Sequence, residues 1–206
     1  MKNIIFLILL IINLNLNAQE LNVENAKLVI NNNLSEWPNS FENFNWDEFV
    51  EVDSIAIFES VVKNKFKNLK QFQSIYDPII SYSKSNDKFI DIYSYQLNLE
   101  KKNEKYYSTI DVGQAIFLCD IKNNYWTRIM YLEYSGIIDD VVWRDENSFL
   151  LVGTQRNEND KNTPVIYFGN LKNKSFSIIM STNDECIQKE EGFKSEKLNN
   201  IIIEEN

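Results

Sequence analysis

Short apolar runs separated by polar turns occupy residues 76–181 and dominate the chain. Each run is rich in β-branched and aromatic residues and ends in a cluster of Asn, Asp, Lys or Gly, which is typical of consecutive antiparallel strands. Several connections hold only a few polar residues, which favours tight hairpins. The pattern predicts strands near Ile79–Ser83, Lys88–Leu99, Gln114–Ile121, Trp126–Leu132, Ile138–Trp143, Ser148–Gly153, Pro164–Asn170 and Ser175–Ser181.

Some of these runs are apolar at adjacent positions and do not alternate with polar residues. They are Gln114–Ile121, Phe149–Val152 and Val165–Phe168. Since successive side chains of a strand point to opposite faces, such strands must be covered on both sides. One cover is predicted to be a helix, and the other a second sheet, neighbouring blades or another protein chain.

An amphipathic helix is predicted before the strands, over residues 54–73. Its apolar residues recur at spacings of three and four, and Asp53 or Ser54 can cap its amino end. The apolar stripe consists of Phe58, Val61, Val62, Phe66, Leu69 and Phe72. An edge strand over Phe49–Ile57 is the alternative for the start of this segment. The predicted fold is α+β and β-rich, with one amphipathic helix packed on a largely antiparallel sheet of about eight strands.

The amino terminus has the layout of a cleavable secretory signal peptide. Residues 1–18 place one basic residue before the apolar run Ile4–Ile12 and end in the small residue Ala18. That arrangement is typical of exported proteins, and the run is about half of the roughly 20 residues that a membrane-spanning helix needs. We therefore expect cleavage near Gln19, export to the periplasm or the cell exterior, and no membrane span afterwards.

Two further segments flank the predicted helix and the β region 76–181, which together form one domain. Residues 19–53 are polar with several aromatics, and the charged tail 182–206 either adds a last strand or stays loose. Large aromatics dominate protein cores, so the aromatics of the first segment are expected to pack as a lid over the core and not to form a ligand platform. They are Trp37, Phe41, Phe44 and Trp46.

Charge and the absence of histidine argue against several function classes. The chain has 21 basic and 30 acidic residues, for a net charge of −9. This balance disfavours nucleic acids and anionic membranes as partners, because proteins bind both of them through basic side chains. Without histidine, Ser-His-Asp and Cys-His sites are impossible, and no cofactor or metal site is predicted. Cys119 and Cys186 can pair in an oxidising compartment, or Cys119 is a buried free thiol.

Four segments resemble the hairpins of β-propeller blades of the TolB or WD40 type. YDPIISYSKSNDKFIDIYS and IDDVVWRDENSFLLVGT are similar to an inner hairpin, and AIFLCDIKNNYWTRI and VIYFGNLKNKSFSII to an outer one. The repeat spacing is about 60 residues, whereas blades are nearer 40 and come in fours or more. The resemblance implies propeller-type hairpins in a non-propeller, or a fragment of a propeller, and propeller relatives mostly bind other proteins or ligands. The whole chain also resembles small exported bacterial proteins of unknown function.

Aromatic and guanidinium side chains gather in the second half of the β region. Planar rings beside guanidinium groups can stack on a sugar or anchor a protein partner, although aromatic pairs also stabilise sheets. The candidate ligand- or partner-binding residues are Trp126, Arg128, Tyr131, Tyr134, Trp143 and Arg144. The leading hypothesis is an exported, non-catalytic protein that binds a protein or a glycan in the cell envelope.

A carboxylate-dependent hydrolase, similar to a glycosidase, is the alternative. It needs two carboxyl groups that face one cleft, about 5–10 Å apart. Asp139 and Asp140 are adjacent, so regular strand geometry would turn them to opposite faces and keep them out of one site. The carboxylates considered for this chemistry are Asp91, Asp111, Asp120, Glu133 and Asp140.

Overall fold

The computed structural model describes residues 22–103, 105–109 and 112–204, so the predicted signal peptide and its cleavage site lie outside the described residues. The helices are α1 (Val23–Asn33), α2 (Glu36–Asn39), α3 (Leu69–Tyr76) and α4 (Ser94–Leu97), with short 3₁₀ turns at Trp46–Glu48 and Glu196–Asn200. The strands are β1 (Phe49–Ile57), β2 (Asn64–Lys65), β3 (Ser81–Tyr82), β4 (Lys88–Asp91), β5 (Leu99–Lys102), β6 (Lys105–Ser108), β7 (Gln114–Asp120), β8 (Tyr125–Leu132), β9 (Gly136–Asp145), β10 (Ser148–Arg156), β11 (Asn162–Asn170), β12 (Ser175–Ser181) and β13 (Ile203–Glu204).

Two five-stranded antiparallel sheets form the body of the molecule. The first has the order β1-β12-β11-β10-β9 and the second β2-β8-β7-β4-β3. A small third sheet, β13-β6-β5, contains a parallel pair between β13 and β6. The β-rich, antiparallel prediction is confirmed, but the strands divide between sheets and do not form one.

The four segments that resemble blade hairpins are hairpins in the structure. β3 pairs with β4, β7 with β8, β9 with β10, and β11 with β12. Asn and Lys take the left-handed conformation in several of these turns, for example Asn86, Asn124 and Lys174. Asn tolerates that conformation because its short polar side chain can hydrogen-bond locally, which explains how the turns at Asn86 and Asn124 form in a chain with few glycines. The described residues do not form a closed ring of blades.

The central strand β10 shows how the first sheet is buried on both faces. Phe149 and Leu151 belong to one hydrophobic cluster, which lies between the two sheets, while Leu150 and Val152 belong to another on the opposite face. This alternation is what strand geometry requires. The prediction that these apolar strands are covered on both sides is confirmed, and the chain supplies both covers itself.

The outer cover comes from the amino-terminal segment. Helix α1 is capped by Asn22, whose side chain accepts a hydrogen bond from the Asn25 N–H, and the helix buries Ala26 and Ile30. Trp37 and Phe41 are buried in the same cluster, with Phe44 and Trp46 packed against it. The aromatic residues therefore form a lid on the core, as predicted.

The predicted helix over residues 54–73 is wrong. Its first part is the end of edge strand β1, which pairs with β12, and a helix starts only at Leu69. Val61 and Val62 of the predicted stripe are 58% and 64% exposed. The alternative edge strand over Phe49–Ile57 is confirmed. β-branched residues favour strands, and pairing with β12 outweighs the helical spacing.

Residues 182–204 of the tail pack onto the body instead of remaining loose. Cys186 and Ser195 are buried, and β13 adds a strand beside β6. Cys119 and Cys186 are both free thiols that lie in separate clusters, so they do not pair. Among the described residues, no helix is both long and apolar enough to cross a membrane.

Candidate functional site

An open cleft of about 500 Å³ runs beside strand β9, the edge strand of the first sheet. Its walls come from the end of α1, from β3, from β9 and from the carboxyl-terminal 3₁₀ turn. We call it the β9 cleft. Its lining residues are Asn33, Leu34, Ile80, Ser81, Tyr82, Lys84, Val141, Val142, Trp143, Arg144, Asp145 and Lys197.

Two of the predicted binding residues, Trp143 and Arg144, line this cleft. The Trp143 indole N–H donates to the Ser81 carbonyl at 2.9 Å, and its ring packs on Phe149 at 5.4 Å between centroids. The Arg144 guanidinium lies 4.9 Å from the centroid of the Phe168 ring. Both side chains are thus held in place before any ligand arrives, which reduces the ordering cost of binding.

A buried ion pair fixes one wall of the cleft. Lys197 donates to the Asp140 carboxylate and also to the Val141 carbonyl, the latter at 3.2 Å. The Asp140 side chain is 2% exposed and also accepts a hydrogen bond from Ser195. Since a buried charge is stable only when paired and hydrogen-bonded, this network holds the carboxyl-terminal segment against β9.

The neighbouring residue Asp139 sits at an irregularity of β9. The register between β9 and β10 shifts between Asp140 and Ile138, so Asp139 is the extra residue of a β-bulge. Burial raises the pKa of Asp139 to about 7, while a hydrogen bond from the Trp37 indole N–H at 3.1 Å lowers it and the charge of Asp140 raises it. Burial raises the pKa of Tyr93, and the charges of Asp140 and Asp139 raise it further. The two carboxylates have different partners, Trp37 for Asp139 and Ser195 and Lys197 for Asp140.

The other predicted binding residues lie on β8 or just after it, away from the β9 cleft. Trp126 is partly buried and packs against the central cluster. The Arg128 guanidinium pairs with Glu59 at 2.6 Å and lies 5.3 Å from the Tyr131 ring centroid, and Tyr134 is 72% exposed. The structure therefore brings Trp143 and Arg144 to one cleft but does not unite the predicted set.

The carboxylates considered for hydrolysis are mostly engaged in local structure. Asp91 is buried and accepts hydrogen bonds from two backbone N–H groups at 3.0 and 2.9 Å. Asp120 accepts two hydrogen bonds from Asn123 in the hairpin turn. Asp111 lies outside the described residues, and Glu133 is exposed. Within the described ranges, no group of three or more Cys, Asp or Glu is placed to hold a metal ion.

A second, smaller pocket of about 200 Å³ was not predicted from the sequence. We call it the lysine pocket, because three lysines from separate parts of the chain line it. No sequence motif joins these lysines. Their proximity depends on how the strands beside them pair, which the sequence does not state directly. Its lining residues are Phe58, Ser60, Val61, Lys63, Lys88, Leu118, Asp120, Tyr125, Thr127, Leu171 and Lys174.

No protein-family model and no curated protein matches the chain. Among solved structures, the chain is similar to a protein of Clostridium novyi NT that is described provisionally as a conserved lipoprotein, at 14% sequence identity and a TM-score of 0.32. The alignment covers 70% of this chain and 74% of that protein. A TM-score this low establishes neither a shared fold nor a shared function.

Proposed function

We propose that this chain is an exported, non-catalytic binding protein whose β9 cleft receives a protein or a glycan of the cell envelope. One observation carries the proposal: the cleft combines a fixed indole, Trp143, with the guanidinium of Arg144. Aromatic and arginine side chains in a formed concavity are the residues that most often dominate recognition.

The cleft suits an extended or flat ligand. At about 500 Å³ it is open along one side, and it presents hydrogen-bonding groups such as Asn33, Ser81 and Lys84 beside apolar Leu34 and Ile80. A mixed lining of this kind is what sugar rings and peptide segments require, because both carry apolar and polar faces.

The test uses Lys84, which is exposed and lines the cleft. If the ligand is a protein, a photo-crosslinking residue at position 84 is expected to capture a specific envelope protein. If the ligand is a glycan, Lys84→Glu is expected to weaken binding to that glycan. The matched control is the same change at Lys172, an exposed turn residue that does not line the cleft. Equal behaviour of the two positions with both ligand classes would refute the proposal.

Export is the part of the proposal that rests on residues 1–18. Their charged, apolar and small-residue layout supports cleavage after Ala18. Fractionation of cells that express the full chain, followed by amino-terminal sequencing, is expected to recover a product in the periplasm or medium that starts near Gln19. An intact chain confined to the cytoplasm would contradict it.

A carboxylate-dependent hydrolase is the second candidate, and the pKa of Asp139 favours it. A carboxyl group with a pKa of about 7 is suited to exchange protons at neutral pH. Against it, Asp139 is absent from the lining of the β9 cleft and of the lysine pocket. Release of sugar from envelope glycans by the wild type, lost in Asp139→Asn, would establish this function in place of simple binding.

A further inference from the structure

The lysine pocket lies between the two sheets, where hairpin turns from each approach one another. Lys88 comes from β4, Lys174 from the turn before β12, and Lys63 from the segment before β2. The Phe58 N–H donates to the Lys174 carbonyl at 2.9 Å, which ties two of these segments together. The fold thus assembles three cationic side chains that are distant in sequence.

The charge of this pocket is opposite to that of the molecule. The whole chain carries a net charge of −9, yet the lining holds three lysines and a single carboxylate, Asp120. Asp120 accepts hydrogen bonds from Asn123. Among the described residues, none of the three lysines forms an ion pair; Lys88 instead donates to the Glu146 backbone carbonyl at 3.4 Å. Hydrogen bonds from Ser85 and also the charge of Lys88 lower the pKa of Glu146, so Glu146 offsets part of the Lys88 charge. The pocket lining still holds more cationic than anionic side chains.

Beneath the lysines the pocket is apolar. Phe58 is buried, Leu118 and Leu171 are partly buried, and Val61 is 58% exposed at the edge. An apolar surface that is both concave and open to solvent gains free energy when a ligand covers it. At about 200 Å³ the pocket is smaller than the roughly 300–1,000 Å³ of drug-sized sites, so its ligand must be small.

We propose that the lysine pocket binds a small aliphatic carboxylate, with the carboxylate group among Lys63, Lys88 and Lys174 and the hydrocarbon chain over Phe58, Leu118 and Val61. The lysines supply charge-assisted hydrogen bonds, which are stronger than neutral ones. The apolar floor supplies the remaining affinity. This site is separate from the β9 cleft and does not depend on the function proposed for it.

The first experiment is calorimetric titration of the chain from Gln19 to Asn206, which retains every described residue, with octanoate below its micelle concentration. Butyrate keeps the charge but lacks most of the hydrocarbon, and octanol keeps the hydrocarbon but lacks the charge. Since a fully buried methylene is worth about a fourfold change in affinity, butyrate is expected to bind at least tenfold more weakly. Octanol is also expected to bind more weakly than octanoate.

Two pairs of variants locate the site. Lys174→Asn retains a residue that tolerates the left-handed backbone at this position, and Lys172→Gln in the same turn is its control. Val61→Asn changes a lining residue, and Val62→Asn changes its equally exposed neighbour, which does not line the pocket. Each lining variant is expected to weaken octanoate binding by about two- to fivefold. The control variants are expected to bind as the wild type does.

All four substitutions fall at exposed positions, so the folded state should survive them, and circular dichroism checks this. Octanoate binding that requires both charge and chain length, and that falls only in the lining variants, supports the proposal. Absence of octanoate binding by the folded wild type overturns it. Equal weakening in the lining and control variants, or equal affinity for butyrate, octanol and octanoate, overturns it as well.

Discussion

Replacement of Gln114 by leucine should destabilise the protein severely, because this buried side chain joins the two sheets. Gln114 is 2% exposed. Its amide nitrogen donates to the Ile92 carbonyl at 3.0 Å and to the Ile138 carbonyl at 2.9 Å, and its amide oxygen accepts from the Ile138 N–H at 2.7 Å. Leucine has a similar size but leaves all three backbone groups without this partner.

The magnitude follows from those backbone groups. A buried donor or acceptor left unsatisfied costs about 1–3 kcal/mol, and the two carbonyls can recover part of that cost through other contacts. We therefore expect Gln114→Leu to lose about 4 kcal/mol of the free energy of unfolding. Total stabilities are about 5–15 kcal/mol, so the variant should lose between about a quarter and most of its stability.

Urea unfolding followed by tryptophan fluorescence measures this loss, with Gln71→Leu on the exposed face of α3 as the matched control. A further variant, Gln114→Glu, keeps the acceptor for Ile138 but loses both donors when it is ionised. It should be rescued partly at low pH, where the protonated carboxyl group can donate one hydrogen bond again. A Gln114→Leu variant within 1 kcal/mol of the control would refute the role assigned to this amide.

Three further predictions concern β9 and its neighbours. Because the pKa of Asp139 is about 7 and not the usual 3.8, the folded state binds more protons than the unfolded state between these pH values, and stability falls as pH rises through that window. Asp139→Asn should therefore be more stable than the wild type by up to about 4 kcal/mol at pH 8, with little difference below pH 4, as measured by urea unfolding at each pH. Lys197→Met leaves the Asp140 carboxylate buried without its cation and should cost about 3 kcal/mol, a loss that Asp140→Asn in the same chain should partly reverse in thermal unfolding. Gly169→Ala would place a methyl group 2.2 Å from the Phe149 ring and should cost about 1–3 kcal/mol by overpacking. Thermal unfolding measures this loss, and an unchanged melting temperature would contradict it.

Most of the strands could be predicted because their signals are local, but the strand predicted over Lys88–Leu99 is wrong after Asp91, where helix α4 interrupts it. The hairpin segments between residues 76 and 181 carry β-branched runs and turn residues within a few positions of each other, and every predicted hairpin exists. The helix prediction failed because Val61 and Val62 follow helical spacing by coincidence. They lie in an irregular segment after β1. The position of β1 depends on its pairing with β12, which is more than 100 residues later in the chain.

The candidate sites divide in the same way. Trp143 and Arg144 were found because they are adjacent on one strand and chemically distinctive. The lysine pocket was not found, because Lys63, Lys88 and Lys174 come together only when the sheets pack. The bulge at Asp139 was also beyond the sequence, because it depends on the register between β9 and β10.

The way in which the first sheet is covered limits which of its surfaces are open to solvent. Apolar side chains on both faces of β10 and β11 predicted a cover on each side, and the second sheet and the amino-terminal lid supply the two covers. Binding through either face of the first sheet would require one of these covers to unfold, which would expose buried residues such as Trp37 and Leu150. The two sites proposed above, the β9 cleft and the lysine pocket, lie instead where the layers end. Under these proposals, variants that weaken ligand binding should fall at residues that line the two sites, whereas variants of residues buried in the two clusters should act through stability alone.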